Sequence, residues 1–284
     1  MFLISGPDLV VECCRAGLIG TFPALNQRTT EGFAAWLDQI DERLQGVAAP
    51  YGVNLIVHRS NPRLAADLAE VVARKVPLVI TSLGTVPDVI EAVHGYGGLV
   101  FHDVISTRHA EKALAAGVDG LIAVAAGAGG HAGTLSPFAL VAEIRSFFDG
   151  ALALAGAISE GRHVAAAEMM GADLAYLGSL FIAAEESLAS PEQKAMMAGS
   201  RAADIVHTDR VTGVAANFMR ASLAANGLLE GDAHTGTLDV AAEAKAWKTV
   251  WSAGHGVGAV GAPEPARAIC DGLIAGYRAA RAIA

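Results

Sequence analysis

The sequence predicts an α/β fold: a (β/α)8, or TIM, barrel whose first strand is truncated or missing, with a C-terminal helical extension. Three observations support this prediction. Short apolar runs without strict alternation recur along the chain, as in parallel strands that are covered on both faces. Helical patterns separate these runs at intervals of about 25 to 35 residues. Many of the 32 glycines stand where strands and helices end.

The strands and helices can be placed in order. Seven runs are typical of strands: Gly17 to Phe22, Tyr51 to Val57, Pro77 to Leu83, Gly98 to Ile105, Gly120 to Ala126, Ala151 to Ala157 and Leu174 to Leu180. Helical patterns lie between them: Thr30 to Leu44, Pro62 to Lys75, Val86 to His94, Ser106 to Ala116, Pro137 to Phe148 and Glu160 to Met170. Asn61-Pro62, Ser106 and Ser136 are typical helix starts, and Gly117, Gly150 and Gly171 are typical helix stops.

A closed barrel needs an eighth strand. The segment Gly6 to Ala16 is helical and comes almost at the start of the sequence. The strand before it is therefore either a stub formed by Phe2 to Ser5 or a segment upstream of Met1. An open doubly wound sheet would need no eighth strand, but no Gly-x-Gly-x-x-Gly follows the first strand to support dinucleotide binding there.

The regular alternation of strands and helices ends after Ala183. Helical patterns follow at Glu185 to Ser200, Ala216 to Leu229, Val240 to Trp251 and Pro263 to Ala284. A mixed segment, Asp204 to Val214, and a glycine-rich turn, Gly254 to Gly258, lie between them. No Ser/Pro linker marks a boundary, so we expect residues 1–284 to form one domain in which 185–284 include a helical lid or tail.

Composition excludes several classes of protein. The net charge of −9 and the lack of a basic stripe argue against nucleic acid as a partner. No apolar stretch reaches the roughly 18 residues of a membrane-spanning helix, and the start lacks the basic segment of a secretion signal. Three cysteines, two of them adjacent, favour buried thiols in a reducing cytoplasm. Alanine-rich helices fit either a homo-oligomer interface or tight helix–sheet packing, which leaves the oligomeric state open.

The segment Ala126 to Pro137, with His131 inside the glycine-rich run Gly129-Gly130-His131-Ala132-Gly133, carries the clearest chemical signal. It follows a strand and leads into a helix, which is the active-site end of a barrel. The flanking glycines remove side-chain bulk, so a flat ligand can approach the backbone and the imidazole. A histidine there can exchange protons or stabilise an anion near neutral pH. The alternative is a flexible loop with an incidental histidine. No metal-ligand spacing is present in the sequence.

Small and polar residues at other strand ends give further candidates. Ala155-Gly156-Ala157-Ile158-Ser159 and Gly178-Ser179 end consecutive strands, where exposed backbone N–H groups can hold a phosphate. Close helix–strand packing would explain the same residues. Asn54 can bond the edge of a heterocycle or a neighbouring loop, because a buried amide must find partners. Ser82 and the pair His102-Asp103 are similar strand-end residues with a weaker claim.

Five segments, in order, resemble the nitronate monooxygenase family, formerly called 2-nitropropane dioxygenases. They are Gly52-Val53-Asn54-Leu55, the Gly129 to Gly133 loop, Ala155-Gly156-Ala157-Ile158 with Gly161-Arg162, Gly171 to Phe181, and Ala253 to Gly258. The resemblance implies an FMN-dependent (β/α)8 oxidoreductase. By this resemblance His131 is the active-site histidine, Asn54 contacts the flavin, and Gly156, Ala157, Gly178 and Ser179 hold the FMN phosphate. We also expect Ser82, Gly129 and Gly130 to contact the cofactor.

The sequence departs from the family pattern at two positions. The family's first strand ends in an Ala-Pro-Met stretch that packs on the flavin ring. Met1 resembles that methionine, so the first strand itself would lie upstream of Met1. His255 stands where the family turn usually has glutamine, and we expect it at the cofactor as well.

The resemblance implies oxidation of an alkyl nitronate or nitroalkane by oxygen, giving a carbonyl compound and nitrite. Two alternatives remain: an NAD(P)H-dependent FMN reductase of quinones or enoyl thioesters, and a non-catalytic flavin- or phosphate-binding barrel.

Overall fold

The computed structural model describes residues 1–84, 87–230, 240 and 245–283. The strands in this part are β1 (Gly20–Pro23), β2 (Tyr51–Ile56), β3 (Leu78–Ser82), β4 (Leu99–Val104), β5 (Gly120–Val124), β6 (Gly130–His131), β7 (Ala151–Ala155), β8 (Leu174–Tyr176), β9 (Ile205–Thr208) and β10 (Ala216–Met219). The helices are α1 (Pro7–Arg15), α2 (Thr30–Arg43), α3 (Leu64–Ala73), α4 (Pro87–His94), α5 (Thr107–Ala115), α6 (Pro137–Arg145), α7 (Gly161–Met169), α8 (Ser179–Ile182), α9 (Pro191–Ala198), α10 (Arg220–Ala225) and α11 (Ala266–Arg281).

Seven parallel strands form one curled sheet in the order β1-β2-β3-β4-β5-β7-β8. The order follows the chain and does not reverse, so the doubly wound alternative is wrong. Among the described residues β1 and β8 are the edges of the sheet, and the barrel is open between them. A hydrogen bond of 3.1 Å between the hydroxyls of Thr21 and Tyr176 bridges this opening. The prediction of a TIM-type barrel is confirmed, and seven of its strands lie among the described residues.

The residues Phe2 to Ile4 form a turn rather than a strand. The main-chain N–H groups of Ile4 and Ser5 both donate to Met1 O at 3.2 Å. These bonds close the chain back on itself, so the interpretation of this segment as a strand stub is wrong.

A core of buried aliphatic and aromatic side chains lies between the sheet and its helices. Phe33, Leu37 and Ile40 of α2 recur at helical spacing, and all three are fully buried. Hydroxyl caps begin several helices: Thr29 accepts from Gly32 N, and Ser106, as expected, accepts from His109 N. Ser136 stands at the start of α6, but its side chain makes no capping bond.

Some helix boundaries differ from the expected ones for local reasons. α3 begins at Leu64 rather than Pro62, because the Asn61 side chain bonds Ile56 O and Arg63 N and forms a turn there. The helix expected from Glu185 begins only at Pro191, where Ser190 provides its cap. The expected helix Val86 to His94 begins at Pro87, and Val86 lies outside the described residues.

The C-terminal part differs more from expectation. Ala216 to Met219, expected as helix, is β10 and pairs with β9 and with β6 in a small antiparallel sheet. Strand pairing explains the difference, because β9 and β6 lie on either side of this buried segment and bond its backbone groups. The expected helix Val240 to Trp251 falls partly on residues 241–244, outside the described part. Within the described ranges, the helices are too short or too polar to cross a membrane.

Candidate functional site

A large cavity of about 1120 Å³ lies inside the curled sheet. It extends to the loops that follow the carboxyl ends of the strands, where barrel sites are built. Most of the residues expected at the site line it: Met1, Asn54, Ser82, Gly129, Gly130, His131, Gly156, Ala157, Gly178 and Ser179. His255 does not. It is exposed, and its main-chain N–H donates to Gly127 O at 2.9 Å.

His131 stands on β6, at the end of the glycine-rich loop after β5. Gly130 adopts φ +75°, a conformation that favours glycine. A Cβ on Gly129 would lie 2.8 Å from the main-chain nitrogen of Gly254, so the two loops touch backbone to backbone. Gly129, beside His131, therefore serves the close contact between two loops.

Asn217 of β10 anchors the loop that carries His131. Its buried side chain donates to Ala128 O at 2.6 Å and lies 3.0 Å from His207 Nδ1. Ser252 joins the same network, because its hydroxyl donates to Asn217 O at 2.6 Å and accepts from Gly130 N at 2.7 Å. The main chain of the loop that carries His131 is thus held by a strand and two side chains from the C-terminal third of the chain.

Aromatic rings form the wall beside His131. The ring of Trp247 meets that of His131 edge-on at a centroid distance of 5.7 Å. Trp247 also packs against Phe218 at 5.3 Å and Phe2 at 6.1 Å. Its buried indole N–H has no hydrogen-bond partner among the described residues. A flat apolar molecule next to His131 would meet this wall.

Asn54, Ser82 and Asp103 form a hydrogen-bonded chain across three neighbouring strands. Asn54 Nδ2 donates to Ser82 Oγ at 2.6 Å, and Ser82 Oγ donates to Asp103 Oδ2 at 2.5 Å. The other carboxyl oxygen of Asp103, Oδ1, is buried and has no partner among the described residues. Its neighbour His102 points to the opposite face, where Thr81 bonds its Nδ1 at 2.7 Å and burial lowers its pKa to about 4.

Burial raises the pKa of Asp103 to about 6, against the effect of the Ser82 hydroxyl and of the positive charges of the Met1 amino group and His131. Burial also lowers the pKa of the Met1 amino group to about 6 and raises that of Tyr176 to about 12. The cavity therefore holds a carboxyl group that changes charge near neutral pH, a property that clusters at functional sites.

The residues expected to hold a phosphate lie together after β7 and β8. Gly156 adopts φ +143° and Ala157 φ +53°, so the chain turns sharply at this point. A Cβ on Gly156 would lie 3.0 Å from Ala126 O. The Ala157 N–H donates to Gly127 O at 3.3 Å, and the Ser179 hydroxyl accepts from Gly254 N at 2.8 Å. Gly178 faces the side chain of Met1, since its Cβ would lie 3.4 Å from Met1 Cγ.

Sequence reasoning gave too little weight to Asp103 and missed Tyr176 and Trp247. Strand-end position was a usable signal for Asp103, which stands beside Ser82 on the next strand. Trp247 had none, because it comes from the C-terminal part and reaches the cavity only through the tertiary fold. Among the described residues, no group of three or more His, Cys, Asp or Glu side chains is placed to hold a metal ion.

Comparison with solved structures places the fold. A nitroalkane oxidase from Streptomyces ansochromogenes superposes with a TM-score of 0.83 at 24% identity, covering 99% of this chain and 94% of that one. FabK from Thermotoga maritima gives a TM-score of 0.82 at 22% identity, covering 100% and 92%. At these identities the likeness shows a shared fold.

Comparison of sequences places the family. A nitronate monooxygenase of Neurospora crassa is 36% identical over 121 residues, which are 38% of this chain and 31% of that protein. The chain aligns with half or less of the length of three curated relatives, namely this enzyme, a putative monooxygenase of Mycobacterium tuberculosis and a carboxyl-CoA dehydrogenase of Rhodococcus jostii. The family model described as nitronate monooxygenase matches residues 4–266. Because this match spans most of the sequence, the chain belongs to the nitronate monooxygenase family.

Proposed function

We propose that this chain is an FMN-dependent oxidoreductase that oxidises alkyl nitronates with oxygen to a carbonyl compound and nitrite. The observation that supports this function best is the position of His131. Its imidazole stands on a glycine-framed strand at the mouth of a cavity of about 1120 Å³, which exceeds the volume of most small-ligand pockets (about 300 to 1,000 Å³). Membership of the nitronate monooxygenase family supports the same assignment.

The residues of the cavity suit a flavin. Gly129 and Gly156 both line the cavity, so the main chain of both loops borders it without side-chain bulk. The Asp103 Oδ1 and Trp247 Nε1 atoms are buried polar groups left without a partner among the described residues. A heterocycle with hydrogen-bonding edges and a flat face is the type of ligand that uses such groups.

We assign the phosphate to the loops after β7 and β8. Gly156, Ala157, Gly178 and Ser179 would surround it there, and the Ser179 hydroxyl, which accepts from Gly254 N, still has its own proton to donate to a phosphate oxygen. Asn54, with Ser82 behind it, would bond the ring edge, and Met1 would pack on the ring. His255 is exposed, so we assign it to the rim of the site. We also propose that residues 1–284 form one domain.

FMN, when bound, supplies the acceptor for electrons from the substrate. The protein supplies orientation and charge. Protonated His131 would hold the anionic nitro group, and neutral His131 would take the α-proton from a neutral nitroalkane. The rings of Trp247 and Phe2 would exclude water from the apolar part of the substrate, and this exclusion strengthens the interaction of the imidazole with the anion.

Three measurements test the proposal. Titration with FMN should give a saturable change in the flavin spectrum, and the loaded protein should release nitrite from propyl-2-nitronate in air. The His131→Asn variant should keep bound FMN and lose most of its nitrite release. Full activity of this variant would refute the role of His131.

A protein that takes up no FMN would favour the non-catalytic barrel. Rapid bleaching of the bound flavin by NADH without air, together with none by the nitronate, would favour the reductase.

A further inference from the structure

The two hydrogen bonds that link Asn54, Ser82 and Asp103 must run in the same donor-to-acceptor direction. Ser82 is the middle member and has only one hydroxyl proton to donate. That proton goes to Asp103 Oδ2 at 2.5 Å, and the Ser82 oxygen accepts from Asn54 Nδ2 at 2.6 Å. The order of donors and acceptors along the chain therefore depends on whether Asp103 accepts a proton or carries one.

We propose that Asp103 is a positioning residue that sets, through Ser82, which end of the Asn54 amide faces the cavity. When Asp103 is ionised it can only accept, so Ser82 donates to it and Asn54 turns its NH2 group to Ser82. The carbonyl oxygen of Asn54 then stays available. When Asp103 gains one proton it can donate to Ser82, which donates in turn to the carbonyl oxygen of Asn54. The amide then rotates by half a turn and presents its NH2 group.

The surroundings of Asp103 favour a proton exchange near neutral pH. Its Oδ1 is buried without a partner in the described part of the chain, which disfavours the charged form. The titratable groups that face it are the Met1 amino group, His131 and Tyr176. The first two favour the carboxylate when they are charged, whereas Tyr176 stays neutral because burial raises its pKa to about 12. The net effect is a pKa of about 6 for Asp103.

Reversal of the Asn54 amide affects any ligand that forms a hydrogen bond with Asn54 in the cavity. A heterocycle edge presents donors and acceptors in a fixed order, so it can match only one of the two amide orientations. A mismatch costs one hydrogen bond, which corresponds to about tenfold in affinity. The expected effect on FMN affinity rests on the proposed function, whereas the reversal of the amide involves only side chains of the protein.

The reversal can be measured without any ligand. The side-chain amide 1H–15N signals of Asn54, identified by their loss in Asn54→Ala, should shift between pH 4.5 and 8 with a midpoint near 6. Both Ser82→Ala and Asp103→Asn should abolish this shift. The matched control is Thr81→Ala, on the opposite face of β3, which should keep it.

Two results would overturn the proposal. If the Asn54 signals of the parent protein stay constant over this pH range, the amide does not respond to Asp103. If they shift equally in the parent and in Ser82→Ala, the charge of Asp103 acts directly and Ser82 is no relay.

The effect on a ligand is tested with FMN. Its Kd is measured at pH 5 and pH 8 for the parent and for Ser82→Ala, by quenching of flavin fluorescence. The FMN phosphate and the other charged groups of the cavity are the same in both proteins, so their effects cancel in the ratio of the two Kd values. The ratio should change about tenfold between the two pH values, and a constant ratio would contradict the inference. If the parent does not bind FMN, the proposed function fails while the result on unliganded Asn54 stands.

Discussion

Replacement of Asp103 by asparagine should make the protein more stable at neutral pH and leave it almost unchanged at pH 4. Burial raises the pKa of Asp103 from its ordinary value of 3.8 to about 6. Below pH 3.8 the carboxyl is protonated in the folded and the unfolded chain. Between pH 3.8 and 6 Asp103 is ionised in the unfolded chain but still protonated in the folded one, so the free energy of unfolding falls as the pH rises. Above pH 6 the carboxyl is ionised in both states, and this loss of stability stays constant.

The size of this deficit follows from the shift in pKa. Each pKa unit corresponds to 1.36 kcal/mol, so a shift of roughly two units costs about 3 kcal/mol above pH 6. Asparagine has nearly the same shape, carries no charge, and still offers an oxygen to the Ser82 hydroxyl. The Asp103→Asn variant should therefore gain up to about 3 kcal/mol at pH 7 and under about 1 kcal/mol at pH 4.

Urea unfolding followed by circular dichroism at pH 4 and pH 7 measures this difference. The control is Asp38→Asn. A hydrogen bond from Arg74 lowers the pKa of the exposed Asp38, so the charge of Asp38 stabilises the folded protein, whereas that of Asp103 destabilises it. This control should lose rather than gain stability at pH 7. A loss of stability in Asp103→Asn at pH 7, or a gain equal at both pH values, would refute the reasoning.

Three further predictions concern packing. Gly161→Ala should destabilise the protein strongly, because its Cβ would lie 2.1 Å from the backbone of α11, whereas Gly272→Ala meets nothing within 4 Å. Thermal unfolding should show the second variant stabilised by roughly 0.5–1 kcal/mol. Gly129→Ala should weaken FMN binding at least tenfold, because it pushes the facing turn away, and Gly258→Ala should bind as the parent does. Asn217→Ala should cost about 1–3 kcal/mol in urea unfolding, because it leaves a buried carbonyl unpaired; unchanged stability would mean that this network does not hold the loop.

Much of the barrel could be predicted from the sequence. Parallel strands that are buried on both faces need continuous apolar runs, and six of the seven observed sheet strands lie within the expected ranges. The exception, β1, begins three residues late and ends one residue beyond its range. The glycine frame of His131 was equally visible, since close loop contact requires residues without side chains. The roles of the site residues stay predictions.

Other features could not be predicted, for physical reasons. The buried segment Ala216 to Met219 resembles a helix in sequence and becomes a strand because β9 and β6 pair with it. Four consecutive buried residues in so short a segment fit a strand and a buried helix equally well. Trp247 lies 116 residues after His131 in the sequence, and only the fold brings their rings to 5.7 Å.

The sequence by itself determined the repeating α/β architecture, the seven strands of the parallel sheet and the position of His131 after a strand, because local hydrophobic runs and glycines carry that information. Only the tertiary structure decided that Asn54, Ser82 and Asp103 form one hydrogen-bonded chain. Their link depends on the register of three parallel strands, whose pairing joins residues about 20 to 30 positions apart. The charge of Asp103 near neutral pH depends on burial from several directions at once, a property that no single segment of the chain contains.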